Sequence, residues 1–105
     1  MKKKEDPAKP RVILPNGISA DTIVEVAQRH GARNVRVFGS FARGEARPDS
    51  DLDLLMDFET GRDLFDLVGI KLELESVLGR TVDVMTENSL SRYMRDDIIR
   101  EAVPL

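Results

Sequence analysis

From residue 18 onward the apolar positions switch three times between a helical and an extended period. Ile23, Val26, Ala27 and His30 recur at spacings of three and four. That is one face of a helix which Ser19 or Asp21 can cap and Gly31 can stop. Residues 35–38 form a short β-type run that ends at Gly39. Good helix formers follow over 40–46, and Pro48 ends any short helix there. Leu52, Leu54, Leu55, Met56 and Phe58 make a second strand, alternating at its start with Asp51 and Asp53. Residues 64–78 predict a long helix stopped by Gly79. Its apolar positions cover more than one face, so it is either deeply buried or partly at an interface, and burial beneath the sheet is the expectation preferred over a partner-facing surface. Residues 81–85 alternate with period two as a third strand, and a last helix runs from about 91 to 102, ahead of Pro104. Helices interleaved with three strands give an α/β domain, a small mixed β-sheet packed with helices.

Size and charge narrow the reading. The chain has 105 residues, 41% hydrophobic and 33% charged, which is the size of one ordinary globular domain. A separate acceptor-binding domain is therefore not expected, and another molecule would present whatever is acted on. No apolar run approaches the ~20 residues needed to span a bilayer. The start, MKKKEDPAKP, lacks the apolar stretch of a secretory signal. Cysteine is absent, which excludes disulfides and thiolate chemistry and fits a cytoplasmic location. Lys2, Lys3, Lys4, Lys9 and Arg11 outnumber Glu5 and Asp6 in residues 1–11, while the rest carries eleven Lys or Arg against seventeen Asp or Glu. Residues 1–17, with Pro7, Pro10 and Pro15, read as a flexible basic arm, and residues 18–105 as the folded domain. The acidic body argues against direct nucleic-acid binding, whose affinity comes from neutralising phosphates.

The chemistry concentrates in one stretch: Gly39-Ser40, ten residues, then Asp51-Leu52-Asp53. Residues i and i+2 of a strand face one side, about 6.5–7 Å apart at the backbone. Two carboxylates so placed can converge on hard divalent cations. Asp49, Asp51, Asp53, Asp57, Glu59, Asp63 and Asp66 crowd into eighteen residues, with Arg62 the one cation among them. Such density is repulsive unless solvated or bridged by a cation. Gly39-Ser40 sits where a strand turns into a helix, a place where backbone can approach an anion closely. Arg43 follows three residues later on the same side. A phosphate cradle beside paired acids describes a site for a metal-chelated nucleoside triphosphate. Asp57 lies roughly 13 Å along the strand from Asp53, too far to join it. Asp83, central in the third strand, comes beside Asp51 and Asp53 if that strand pairs with the second. Gly39 and Gly44 have the spacing of a P-loop, but Glu45 and Ala46 replace its Lys and Ser/Thr, so that mechanism is excluded.

The pattern GS-x10-DxD with a later acid, met by Gly39, Ser40, Asp51, Asp53 and Asp83, closely resembles the minimal nucleotidyltransferases of the DNA polymerase beta superfamily. The segments FGSFARGEA (38–46) and SDLDLL (50–55) look like that family's usual setting. The closing YMRD (93–96) and REAV (100–103) are similar to small members encoded beside HEPN-type ribonuclease toxins. The resemblance implies a polymerase beta-like nucleotidyltransferase core, with two Mg²⁺ ions bound by Asp51, Asp53 and Asp83 and ATP as substrate. It implies that Gly39, Ser40 and Arg43 bind the nucleotide, and that Asp83 also helps to deprotonate the acceptor hydroxyl. It further implies a partner, a HEPN-type toxin whose tyrosine receives AMP, with the chain acting as its antitoxin in a hetero-oligomer.

Two other classes stay open on sequence alone. One is a non-catalytic binding module that neutralises its partner by contact. The other is a small-molecule nucleotidyltransferase served by a separate acceptor-binding subunit. Elsewhere, His30 reads as a cap or surface group at the end of the first helix. Phe38 and Phe41 read as core, and Tyr93 and Arg95 fit a surface role or a nucleotide contact equally well.

Overall fold

The computed structural model describes Leu14 and residues 18–105, so the expected basic arm lies outside the described residues apart from Leu14. Helix α1 (Ala20–Arg29) begins where the Ser19 side chain accepts the Thr22 N–H, and it turns Ile23, Val26 and Ala27 inward. Strand β1 (Ala32–Phe38) is longer than its apolar run suggested. Its first half carries a bulge at Asn34, where φ is +53° and the pairing register shifts. One-turn helix α2 (Ser40–Arg43) leaves β1 directly and leads to strand β2 (Leu52–Phe58). Helix α3 (Leu64–Leu78) starts at a reciprocal cap between Asp63 and Asp66 and stops at left-handed Gly79. Strand β3 (Val82–Met85) follows.

The last segment departs from expectation. The Ser91 hydroxyl accepts the Tyr93 N–H and holds 91–94 in turns, so helix α4 covers only Arg95–Glu101. Two further residues, Val103–Pro104, pair as strand β4, which no hydrophobic period announces at that length. The sheet runs β3-β2-β1-β4, with β2 and β3 parallel and the other pairs antiparallel. The expected small mixed sheet is present, with four strands instead of three.

Strand periodicity divides the core between the two faces. Leu52, Leu54, Met56, Val82 and Val84 pack with Ile23, Val26, Ile70 and Leu74 of α1 and α3. Phe38, Leu55 and Ile98 form a smaller cluster on the opposite face, beneath α4. The expected burial of α3 is corrected: Ile70 and Leu74 are buried, whereas Leu64, Phe65, Val68, Leu72 and Val77 are exposed. A helix lying on one sheet face can bury only one stripe, and these five residues lie outside it. Phe38 and Phe41 are buried as expected, and Tyr93 is exposed. Among the described residues no helix is long and apolar enough to cross a membrane.

Leu54 is fully buried in an inner strand. Leu54→Ala is expected to destabilise the protein by about 2–5 kcal/mol, read as a fall in the urea midpoint at unchanged m-value. A loss below about 1 kcal/mol would contradict the assignment of this residue to a close-packed core.

Candidate active site

The register of β2 assembles the site. Asp53 lies opposite Phe38 on β1 and level with Asp83 on β3. Adjacent strands stand about 4.8 Å apart, so these two carboxylates rise from neighbouring backbone on the same sheet face. That face is the one under α4, while Leu52 and Leu54 turn to the main core. Asp51 sits just before β2, exposed to solvent.

Asp53 is held in an unfavourable place for a charge. Burial, first, and then the negative charge of Asp83 push its carboxyl up to about 6. A hydrogen bond with Asp83 and the charge of Asp51 act in the same direction, and Arg43 opposes them. Two carboxyls can hydrogen-bond only when one keeps its proton, so without a cation the pair holds a proton only below about pH 6 and carries crowded negative charge above it. Hard, crowded carboxylate oxygens, offset only in part by Arg43 and by Lys71 at 3.8 Å from Asp83, suit a divalent cation such as Mg²⁺, which would offset their repulsion. Among the described residues no three His, Asp or Glu side chains already stand as a ready set of metal ligands. Asp53 and Asp83 are brought together, and Asp51 contributes its charge from an exposed position.

Gly39 closes the other side of Asp53. It caps α2 at φ 74° and ψ −151°, a conformation that L side chains rarely adopt. A Cβ at this position would stand 2.2 Å from Asp53 Oδ2. Glycine is thus required both by the turn and by the carboxylate behind it. Ser40, partly buried, opens α2, and Arg43 closes it.

An acid that no spacing rule revealed meets these groups. Glu101, at the end of α4, accepts the Gly39 N–H at 3.0 Å and a hydrogen bond from Arg43 Nη1 at 2.6 Å. Arg43 Nε also donates to Glu45 at 2.7 Å. Gly39 and Arg43 therefore converge on one anionic group, but that group is a carboxylate of the chain itself. Around it lies an open hollow of about 380 Å³, between Gly39, Arg43 and Asp53 on one side and Met94, Ile98 and Glu101 on the other. The bond from Gly39 spans 62 residues, so nothing in the local sequence of either partner signals it.

The remaining acids find other partners. Asp57 accepts from Asn34 and from Arg36, which is itself buried and also pairs with Glu87. Asp57 stays out of the site, as its distance along the strand required. His30 ends α1 and hydrogen-bonds Glu73 of α3, a structural role.

A family model described as "Nucleotidyltransferase domain" matches residues 21–105. A provisionally named protein adenylyltransferase of Methanocaldococcus jannaschii is 46% identical over 81 residues, covering 77% of this chain and 87% of that protein. Protein adenylyltransferase MntA of Thermococcus cleftensis is 40% identical over 79 residues, covering 75% of this chain and 80% of its own. A solved structure provisionally described as a minimal nucleotidyltransferase superposes with a TM-score of 0.73 at 53% identity, covering 81% of this chain and 87% of that one. A toxin–antitoxin structure with AMP-PNP shares the fold, with a TM-score of 0.72 at 18% identity over 83% of this chain and 72% of that one.

Because the Asp53 carboxyl sits near 6 instead of 3.8, the folded chain holds a proton there that the unfolded chain has released. Stability from this group is lost as pH rises from about 4 through 6 and does not return above it. In EDTA at pH 7.5, Asp53→Asn is expected to gain about 1 kcal/mol after solvent screening, a rise in Tm of roughly 4–8 °C. The gain should shrink towards zero near pH 4. A variant that melts lower than the parent at pH 7.5 would contradict this picture of Asp53.

Proposed function

The chain belongs to the nucleotidyltransferase domain family, and on that premise we propose that it transfers AMP from ATP to a hydroxyl of a partner protein. The partner in this reading is a HEPN-type ribonuclease toxin, the acceptor is a tyrosine, and the chain is the antitoxin. The observation that carries the reaction is the Asp53–Asp83 pair beside an open hollow, where burial first and then the Asp83 charge hold the half-buried Asp53 carboxyl near 6. The names of the relatives, protein adenylyltransferases, support the choice of a protein acceptor. An open hollow suits a side chain arriving from outside better than it suits a small acceptor that must be enclosed.

On this reading Asp51, Asp53 and Asp83 hold Mg²⁺, and Gly39, Ser40 and Arg43 bind the triphosphate. The metal, when bound, supplies positive charge that the triphosphate and the departing pyrophosphate need. The acceptor oxygen forms a bond to the α-phosphorus while the bond to the β-phosphate oxygen breaks, and pyrophosphate leaves. Asp83, half exposed and level with Asp53, takes the proton of the acceptor hydroxyl. Arg43 is tethered to Glu45 and Glu101, so the triphosphate takes it over from these two carboxylates. Phosphate oxygens compete well for a guanidinium, which they can engage through two parallel bonds.

Incubation of the chain with ATP, Mg²⁺ and the HEPN-type protein encoded beside it is expected to add AMP to a tyrosine, read by intact mass and peptide fragmentation. Asp51→Asn combined with Asp53→Asn should slow the transfer by at least about 100-fold. Full protection against the toxin by that double variant, with no mass gain in the parent reaction, would contradict the enzymatic reading and favour neutralisation by contact.

A further inference from the structure

Strand β3 is the edge of the sheet, four residues long, and Asp83 is its second residue. One side of β3 pairs with β2. The backbone groups of Val82 turn to the other side, where an edge strand would otherwise present them to solvent or to another chain. Two side chains of α3 take them up. Glu75 Oε2 accepts the Val82 N–H at 2.9 Å, and Lys71 Nζ donates to the Val82 carbonyl at 2.6 Å. Lys71 and Glu75 also pair with each other at 3.0 Å, one helical turn apart. The ring of contacts grips the residue immediately before Asp83. The same Lys71 Nζ stands 3.8 Å from Asp83 Oδ1.

We propose that Lys71, with Glu75, is a positioning residue that sets where the Asp83 carboxylate stands beside Asp53. Asp83 is half exposed and occupies an edge strand of only four residues. The clamp adds to the β2 ladder a second anchor for the backbone that carries Asp83. It also ties the candidate third carboxylate to α3, the helix whose Ile70 and Leu74 are locked in the core. Lys71 lies between Ile70 and Leu72, so its helical position is fixed by burial of its neighbour, and its ammonium reaches the strand as a fixed donor. This proposal rests on the reading of Asp53 and Asp83 as a cation-holding pair.

Charge and position make opposite forecasts for the loss of Lys71, which separates them. A nearby ammonium repels a divalent cation, so on charge alone Lys71→Met should tighten metal binding. Loss of the anchor should weaken it, as outer-sphere partners of metal ligands typically do, by about 10-fold. The test is titration with Mn²⁺ alone, free metal being read by electron paramagnetic resonance, on the parent, Lys71→Met, Glu75→Gln and Asp83→Asn chains. Lys71→Met is expected to weaken Mn²⁺ about 10-fold, and Glu75→Gln by less, because glutamine still accepts the Val82 N–H but no longer holds Lys71 in an ion pair. Thermal melting should show both variants folded. Unchanged or tighter Mn²⁺ binding in Lys71→Met would overturn the proposal, and if that variant does not fold, unchanged binding in Glu75→Gln overturns it. Asp83→Asn is the control on the premise: if it binds Mn²⁺ as the parent does, the cation reading fails and the positioning role fails with it.

Discussion

The contact between the Gly39 backbone and the Asp53 carboxylate is the constraint around which the site is built. No side chain fits between them, since even a methyl carbon on Gly39 would overlap Asp53 Oδ2. That closeness fixes β1 against β2 at the turn into α2, and the same register brings Asp53 level with Asp83 on the far side. A carboxylate on an inner strand is therefore enclosed by backbone on one flank and by a like charge on the other. Its protonation near 6 is the direct result. The fold tolerates an unfavourable group at its centre, which is the usual mark of a position kept for chemistry rather than for stability.

Around this centre the electrostatics are graded. On the α2 side, Arg43 is engaged by Glu45 and Glu101, and the Gly39 amide is occupied by Glu101. On the α3 side, Lys71 is shared among Glu75, the Val82 carbonyl and Asp83. Positive groups are thus present on both flanks, but each is already engaged. The acids at the centre have only a share of either cation, Asp83 through Lys71 at 3.8 Å. Ion pairs exposed to solvent contribute little to folding. Their effect here is to fix the directions from which backbone and guanidinium approach the hollow.

Much of this was legible along the chain. The period-two start of β2 placed Asp53 opposite the core-facing Leu52 and Leu54, and the Val82-Asp83-Val84 alternation placed Asp83 on the same face once the strands paired. The turn at Gly39-Ser40 was legible because a glycine between strand and helix has few other uses. What escaped were contacts made across the fold. Glu101 reaches Gly39 from the far end of the chain, and Arg36 reaches Asp57 from a neighbouring strand after a bulge that no pattern announced. Helix α3 departs from its expected burial for a related reason. Apolar positions on several faces suggested burial, but one sheet face can cover only one stripe, and Leu64, Phe65, Val68, Leu72 and Val77 remain outside. Periodicity reports which residues could be buried, and topology decides how much surface exists to bury them.

On the reading proposed for Asp53 and Asp83, a divalent cation would relieve the repulsion that raises the Asp53 carboxyl to about 6. The most direct measurement is the pH titration of the Asp53 carboxyl carbon by nuclear magnetic resonance, with aspartate labelled at that carbon, in EDTA and again with Mg²⁺ and ATP. The account predicts a midpoint near 6 in EDTA and a displacement to well below the ordinary carboxylate range when Mg²⁺ and ATP are present. An Asp53 that titrates like an isolated aspartate in EDTA, or a midpoint indifferent to Mg²⁺, would contradict it.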